Sequence, residues 1–337
     1  LLLDEGFTER RVLAATVLGA NVLSATRAWL LRCGAKGLCS RDEKLAKEGD
    51  MRVWFRYPAV VAIVAVGFAN TSDTAELNPA ALIYQRPDQI KWNPPTASGA
   101  QNAVLVGDPS KPGLYIVMNK WLKGDHFSRP HFHPNDRFIT VLGGTWWVGS
   151  GTTFDPAHCV PMPTGTFVTH YGKQVHWDGA KGEDASLLIV GDGPGTSTAV
   201  EATPGPLTGL DPAAVVPTLP DQFKWRDPTG AAGLNQVVLH GDPSTTGLYV
   251  TLNRFKPGNF SRPHFHPSDR FITVVKGTWW VATGATFDKE STHPMPAGSF
   301  VTHFAKQVHW DGAKNEEAWV LIVGEGPGTV TLVDTAN

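Results

Sequence analysis

Most of the chain is written twice, 133 positions apart. FSRPHFHPNDRFITV, from Phe127, returns as FSRPHFHPSDRFITV from Phe260. GTWWV and KQVHWDGAK recur unchanged, and LIVGDGPGT returns as LIVGEGPGT. Solenoid units repeat at roughly 20–50 residues; this period is much longer, so each copy is expected to be a whole domain. Within the first copy, Ala103–Val106, Leu114–Asn119, Phe138–Leu142, Thr145–Val148, Phe167–His170 and Ser186–Val190 read as short strands, with Gly, Pro, Asn and Asp between them at hairpin spacing. No long amphipathic helix is legible in either copy. Two all-β domains follow, as sandwiches, barrels or jelly rolls.

The motif at the centre of each copy narrows this. His131 and His133 lie one residue apart, as do His264 and His266. On an extended strand such a pair points to one face, and Pro130 and Pro134 argue against a helix there. Two converging imidazoles make half of a metal site, and the rest must come from a distant strand. The copies share four histidines: His131, His133, His170 and His176, matched by His264, His266, His303 and His309. His126, His158, His240 and His293 have no aligned partner.

With these residues in view, each copy resembles a cupin, a small jelly-roll barrel. The family's first motif has an HxH pair, a glutamate four residues on and a glycine seven further. His131, His133 and Gly144 fit that spacing, as do His264, His266 and Gly277. His176 and His309 occupy the place of the histidine that closes the second motif, although the proline and glycine that flank it in the family are missing here. The resemblance spans Gln85–Thr196 and Asp221–Thr331, so the chain is similar to the bicupins. It implies one divalent metal per domain, held by His131, His133 and His176 in the first and by His264, His266 and His309 in the second. Imidazole ligands accept Fe, Cu, Mn or Zn, so the metal stays open.

The departure is at the glutamate position, which holds Arg137 and Arg270. Guanidinium does not ligate metals and stays protonated. A three-histidine centre without a carboxylate is therefore expected. Two readings of the arginines remain: a clamp for a carboxylate or enolate substrate, or pairing with a nearby aspartate that points them away. His170 and His303 are read as a fourth ligand, a donor that orients another imidazole, or a rim residue. Of each Trp146-Trp147 and Trp279-Trp280 pair, one ring should line the barrel and the other face outward.

The flanks carry a different signal. Met51 opens a basic stretch, an apolar run to Phe68 and a small-x-small pattern at Gly67-Phe68-Ala69, the parts of a signal peptide. The run is short of the roughly 20 residues that span a bilayer. Segment 51–69 is thus expected to be a leader and 1–50 an upstream extension outside the mature fold. The domains are 85–196 and 221–334, joined by a Pro- and Thr-rich linker at 197–220, and the mature protein is expected to be periplasmic or secreted, with no membrane span. Net charge is -2, which gives no footprint for nucleic acid. Cys33, Cys39 and Cys159 make no disulfide or metal framework.

The resulting expectation is a metal-dependent oxidoreductase of dioxygenase type acting on a small organic molecule. The alternative is a non-catalytic secreted module that binds a metal or small ligand. A small-molecule partner fits both, and a homo-oligomer is compatible with either.

Overall fold

The computed structural model describes residues 76–230 and 233–334. The leader segment 51–69, the extension 1–50, Cys33 and Cys39 lie outside the described residues. Apart from three short 3-10 turns, the described elements are strands. Among the described residues no helix is long and apolar enough to cross a membrane.

Each repeat builds two antiparallel sheets. In the first repeat the larger sheet runs, in spatial order, Val215–Thr218, Phe167–His170, Arg137–Gly143, Ala185–Gly193, Gly113–Trp121, Ala100–Val106. The facing sheet runs Thr198–Ala199, His131–Phe132, His176–Ala180, Thr145–Ser150, Val160–Pro163, with His126–Phe127 beside His176–Ala180. The second repeat has Leu82–Gln85, Phe300–His303, Arg270–Lys276, Ala318–Gly326, Gly247–Phe255, Leu234–His240 against His293–Pro296, Thr278–Thr283, His309–Gly312, His264–Phe265, Thr331–Leu332. The strands read from the sequence are all present, mostly one to three residues longer.

The burial pattern explains why strand sequences such as Ser-Leu-Leu-Ile-Val do not alternate. Ala185–Gly193 sits centrally, between Arg137–Gly143 and Gly113–Trp121. Both of its faces are covered, so both need apolar side chains. Leu187 and Ile189 pack inside the first barrel with Val117, Val141 and Trp146. Leu188 and Val190 pack on the other face, in a core shared with Val250, Leu252, Leu321 and Val323 of the second repeat. A third cluster, with Ile272, Trp279 and Val320, fills the second barrel.

The barrels also trade an edge. Leu82–Gln85, from the first repeat, pairs with Phe300–His303 of the second barrel. Val215–Thr218, in the stretch read as a linker, pairs with Phe167–His170 of the first. The 197–220 stretch therefore contributes two strands to the first barrel, Thr198–Ala199 and Val215–Thr218.

Two details fix the site's walls. Gly144 and Gly277 turn at φ +70° and +71°, and a Cβ there would lie 2.0 and 2.2 Å from the carbonyl oxygens of Asp184 and Glu317; only glycine fits the turn. Trp146 and Trp279 are buried, whereas Trp147 and Trp280 are half-buried and carry Lys181 and Lys314 over their rings at 3.9 and 4.3 Å. Strand alternation sends the two rings of each pair opposite ways, as the sequence implied.

Candidate metal centre

His131 lies directly across the small sheet from His176, and His264 from His309. His133 and His266, two residues further along, turn to the same face. The ring centroids of His131, His133 and His176 are 4.6–5.2 Å apart, and those of the second triad 4.6–5.2 Å. In each triad one nitrogen per ring lies within 4.8 Å of the others. The structure thus brings all six of the expected ligands into two clusters.

The backbone decides which nitrogen faces inward. Nδ1 of His131 lies 2.8 Å from the Arg129 carbonyl oxygen, that of His133 2.8 Å from Thr196 and that of His176 3.1 Å from Gln174. The second triad repeats this with Arg262, Thr329 and Gln307 at 2.7, 2.9 and 3.0 Å. A carbonyl only accepts, so Nδ1 carries the hydrogen and Nε2 is left as a lone pair. Nε2 of His176 and of His309 is buried with no hydrogen-bond partner. Nε2 of His264 and Nε2 of His266 face each other at 3.1 Å. Lone pairs pointed at one another repel, and a cation among them removes the conflict. The backbone carbonyls also fix ring orientation as second partners of metal-bound histidines do.

Four of the rings are held neutral. Burial, then the Arg137 charge, lowers His133 to about 3. Burial, then His264, lowers His309 to about 3. Burial lowers His266 too, aided by Arg270, and carries His176 well below 6.5. Neutral imidazole is the ligating form, so these four donors are ready at neutral pH. The same shifts set a stability trend. Between its folded value and the unfolded 6.5, each ring takes a proton only when the chain unfolds, so the metal-free fold loses stability as pH falls through that window. The slope is about 1.4 kcal/mol per pH decade for each such ring. We expect the melting temperature of chelator-treated protein to fall steadily from pH 6.5 to 4; a flat profile would mean the rings are not buried neutral.

Arg137 and Arg270 enter the clusters. Nη1 of Arg137 donates to Nε2 of His133. Nη1 of Arg270 donates to Nε2 of His266 at 2.9 Å, with Nε on the Tyr249 hydroxyl at 3.1 Å and Nη2 on the Gly328 carbonyl at 3.2 Å. The aspartates beside them are engaged elsewhere: Asp136 accepts from the Gly172 amide and Asp269 from the Ala305 amide, both at 2.7 Å. Neither arginine pairs with those aspartates; both guanidiniums turn toward the histidines.

His170 and His303 are also inside. The His170 ring is 4.0 Å from His176 and 5.3 Å from Trp146, and neither of its nitrogens has a hydrogen-bond partner. His303 lies 3.8 Å from His309. Both are buried, which excludes a rim position. Burial lowers both well below 6.5.

Sequence reasoning missed Asp178 and Asp311. Each groups with the adjacent histidines, as His170, His176, Asp178 and as His303, His309, Asp311. Burial raises both carboxyls, against the pull of His131 and Arg137 in the first and of His264 and Arg270 in the second. The signal was available: Asp178 follows His176 by two on a strand, so both face the same way.

Comparison with known proteins addresses the fold. No protein-family model and no curated protein matches the chain. Solved structures do. Lactobacillus farciminis oxalate decarboxylase in its formate complex superposes with a TM-score of 0.51 at 13% identity, over 74% of this chain and 88% of that one. A variant of Bacillus subtilis oxalate decarboxylase gives 0.50 at 13% identity over 74% and 79%. Procruciferin, an 11S globulin from Brassica napus, gives 0.50 at 10% identity over 78% and 88%. The chain thus has the two-barrel jelly-roll fold of these structures, and each of its own barrels holds a histidine cluster.

Proposed function

We propose that each barrel holds one divalent metal ion through Nε2 of His131, His133 and His176, or of His264, His266 and His309, and that the protein is a metal-dependent oxidoreductase of dioxygenase type acting on a small organic anion. The carrying observation is the convergence of three imidazoles in each barrel, with Nε2 of His176 and of His309 buried without a hydrogen-bond partner. Such a donor set suits Fe, Cu, Mn or Zn. When bound, the ion supplies a Lewis acid and, if redox-active, a route for electrons.

The residues around it supply the rest. Arg137 and Arg270 spend donors on a lone pair that the ion would take, and are then free to hold a substrate carboxylate or enolate, for which the planar fork is suited. Trp146, Trp279, Ile139 and Ile272 wall the pockets and exclude water from the charged end. Asp178 and Asp311, raised by burial, offer a proton-holding carboxyl beside the third histidine. Of the three neighbours in fold described above, two are oxalate decarboxylases and one is a globulin, so fold alone does not choose between catalysis and binding. The arginine-lined pocket favours an acidic small molecule. The leader read at 51–69 from the sequence supports an exported mature protein.

The test is elemental analysis of exported protein purified without added metal, followed by oxygen uptake against diketones, phenols, flavonols and oligosaccharides. We expect a redox metal in both barrels, uptake with at least one acidic or enolic substrate, and an intact mass starting near Asn70. Zinc alone with no uptake leaves the non-catalytic binding module as the function; no metal at all ends the metal-centre reading.

A further inference from the structure

The two barrels have the same charged end and different bodies. The first pocket encloses about 430 Å³ and the second about 700 Å³. Strand register identifies the positions responsible. Trp121 pairs with Ala185, and Phe255 with the equivalent Ala318, so the second pocket has the smaller ring. Leu187 of the first is replaced by Val320 of the second. At the mouth the trend reverses. Ala199 pairs with His131, and Leu332 with His264, so these two are equivalent lip residues. Ser197 and Ala199 line the first mouth, Val330 and Leu332 the second. Val330 is 56% and Leu332 61% exposed, a costly placement for two large apolar side chains beside a pocket unless a ligand covers them.

The inner ends differ as well. Asn119 and Asn253 are equivalent, opposite Asn102 and Gln236. Gln236 Nε2 reaches Asn253 Oδ1 at 3.0 Å. Asn102 is one methylene shorter and accepts from Asn93 Nδ2 at 2.7 Å. Asn119 Oδ1 is left buried without a partner, in the wall of the first pocket. An unpartnered buried acceptor calls for a ligand donor.

We propose that the barrels take different classes of organic acid. The first takes a compact hydroxy acid whose hydroxyl donates to Asn119 Oδ1. The second takes an acid with an extended apolar body that lies under Val330 and Leu332. This rests on the proposed metal-and-arginine end of each pocket, which both ligands share.

Calorimetric titration of the zinc-loaded full chain with lactate and with 4-phenylbutyrate tests it. The same titrations on His131→Ala/His133→Ala and on His264→Ala/His266→Ala assign each ligand to a barrel. Lactate binding should survive only the second pair of substitutions, and phenylbutyrate binding only the first. Val330→Ser/Leu332→Ala, on the surface, should weaken phenylbutyrate about tenfold and leave lactate within about twofold. Asn119→Leu should weaken lactate about tenfold and change propionate little, because only the hydroxyl partner is lost. The same preference order in both barrels overturns the division of ligands while leaving the metal sites standing. Metal uptake without binding of either acid overturns it too, together with the anion-holding role of the arginines. Failure to take up zinc overturns the reading beneath both.

Discussion

Replacing His176 by alanine is expected to empty the first barrel of metal and leave the second loaded. The substitution removes one of three nitrogen donors and opens space beside His170 and Asp178. Changes that touch only the groups behind a metal ligand already cost about 10–100-fold in affinity, so loss of a ligand should exceed about 100-fold at that site. Metal content after desalting should then fall by half. His309→Ala should do the same to the second barrel, and the pair together should leave no metal. Retained metal in the second barrel of the first variant also reports that the chain still folds, because that barrel includes Leu82–Gln85 from the first repeat. Full loading of His176→Ala would place the metal elsewhere, and loss from both barrels would mean the sites are coupled rather than independent.

Arg137→Met is expected to weaken the metal-free protein and tighten its grip on metal. In the structure the guanidinium satisfies the His133 lone pair. Methionine fills similar volume and donates nothing, so a buried acceptor goes unpaired, at about 1–3 kcal/mol. The bound state gains instead, because a positive charge leaves the neighbourhood of the cation; at an effective dielectric of 20, unit charges 4 Å apart interact by about 4 kcal/mol. Both changes favour binding. The chelator-treated variant should melt below wild type, and saturating zinc should raise its melting temperature by more than it raises that of wild type. Equal zinc-induced shifts in the two proteins would show that the arginine does not compete with the ion. Arg270→Met is a less clean version, since that guanidinium also serves Tyr249 and Gly328.

What the sequence could show follows from which interactions are local. The HxH spacing and the strand period put His131 with His133, and the repeat put His176 in the set, because alternation and duplication are written directly in residue order. The two-barrel architecture was legible for the same reason. The inward turn of Arg137 was not, because it depends on where a side chain finds a lone pair after the sheets have closed. Asp178 was overlooked although its spacing from His176 obeys the same alternation rule; its significance depends on burial, which spacing does not report. The 197–220 stretch reads as a linker from its prolines and threonines, yet Val215–Thr218 is an edge strand. Short edge strands need little hydrophobic pattern, so composition does not mark them.

The traded edges have a consequence for each half taken singly. His170 is flanked by Arg137 on one side and Val215 on the other; His303 is flanked by Arg270 and Leu82. Each histidine-lined cavity is therefore shored up by backbone that the opposite half supplies. A single half, expressed by itself, would present an open row of amides and carbonyls along its His170 or His303 strand and would find its missing neighbour only in a second molecule. Cutting the chain at its repeat boundary should therefore yield obligate pairs rather than free-standing monomers.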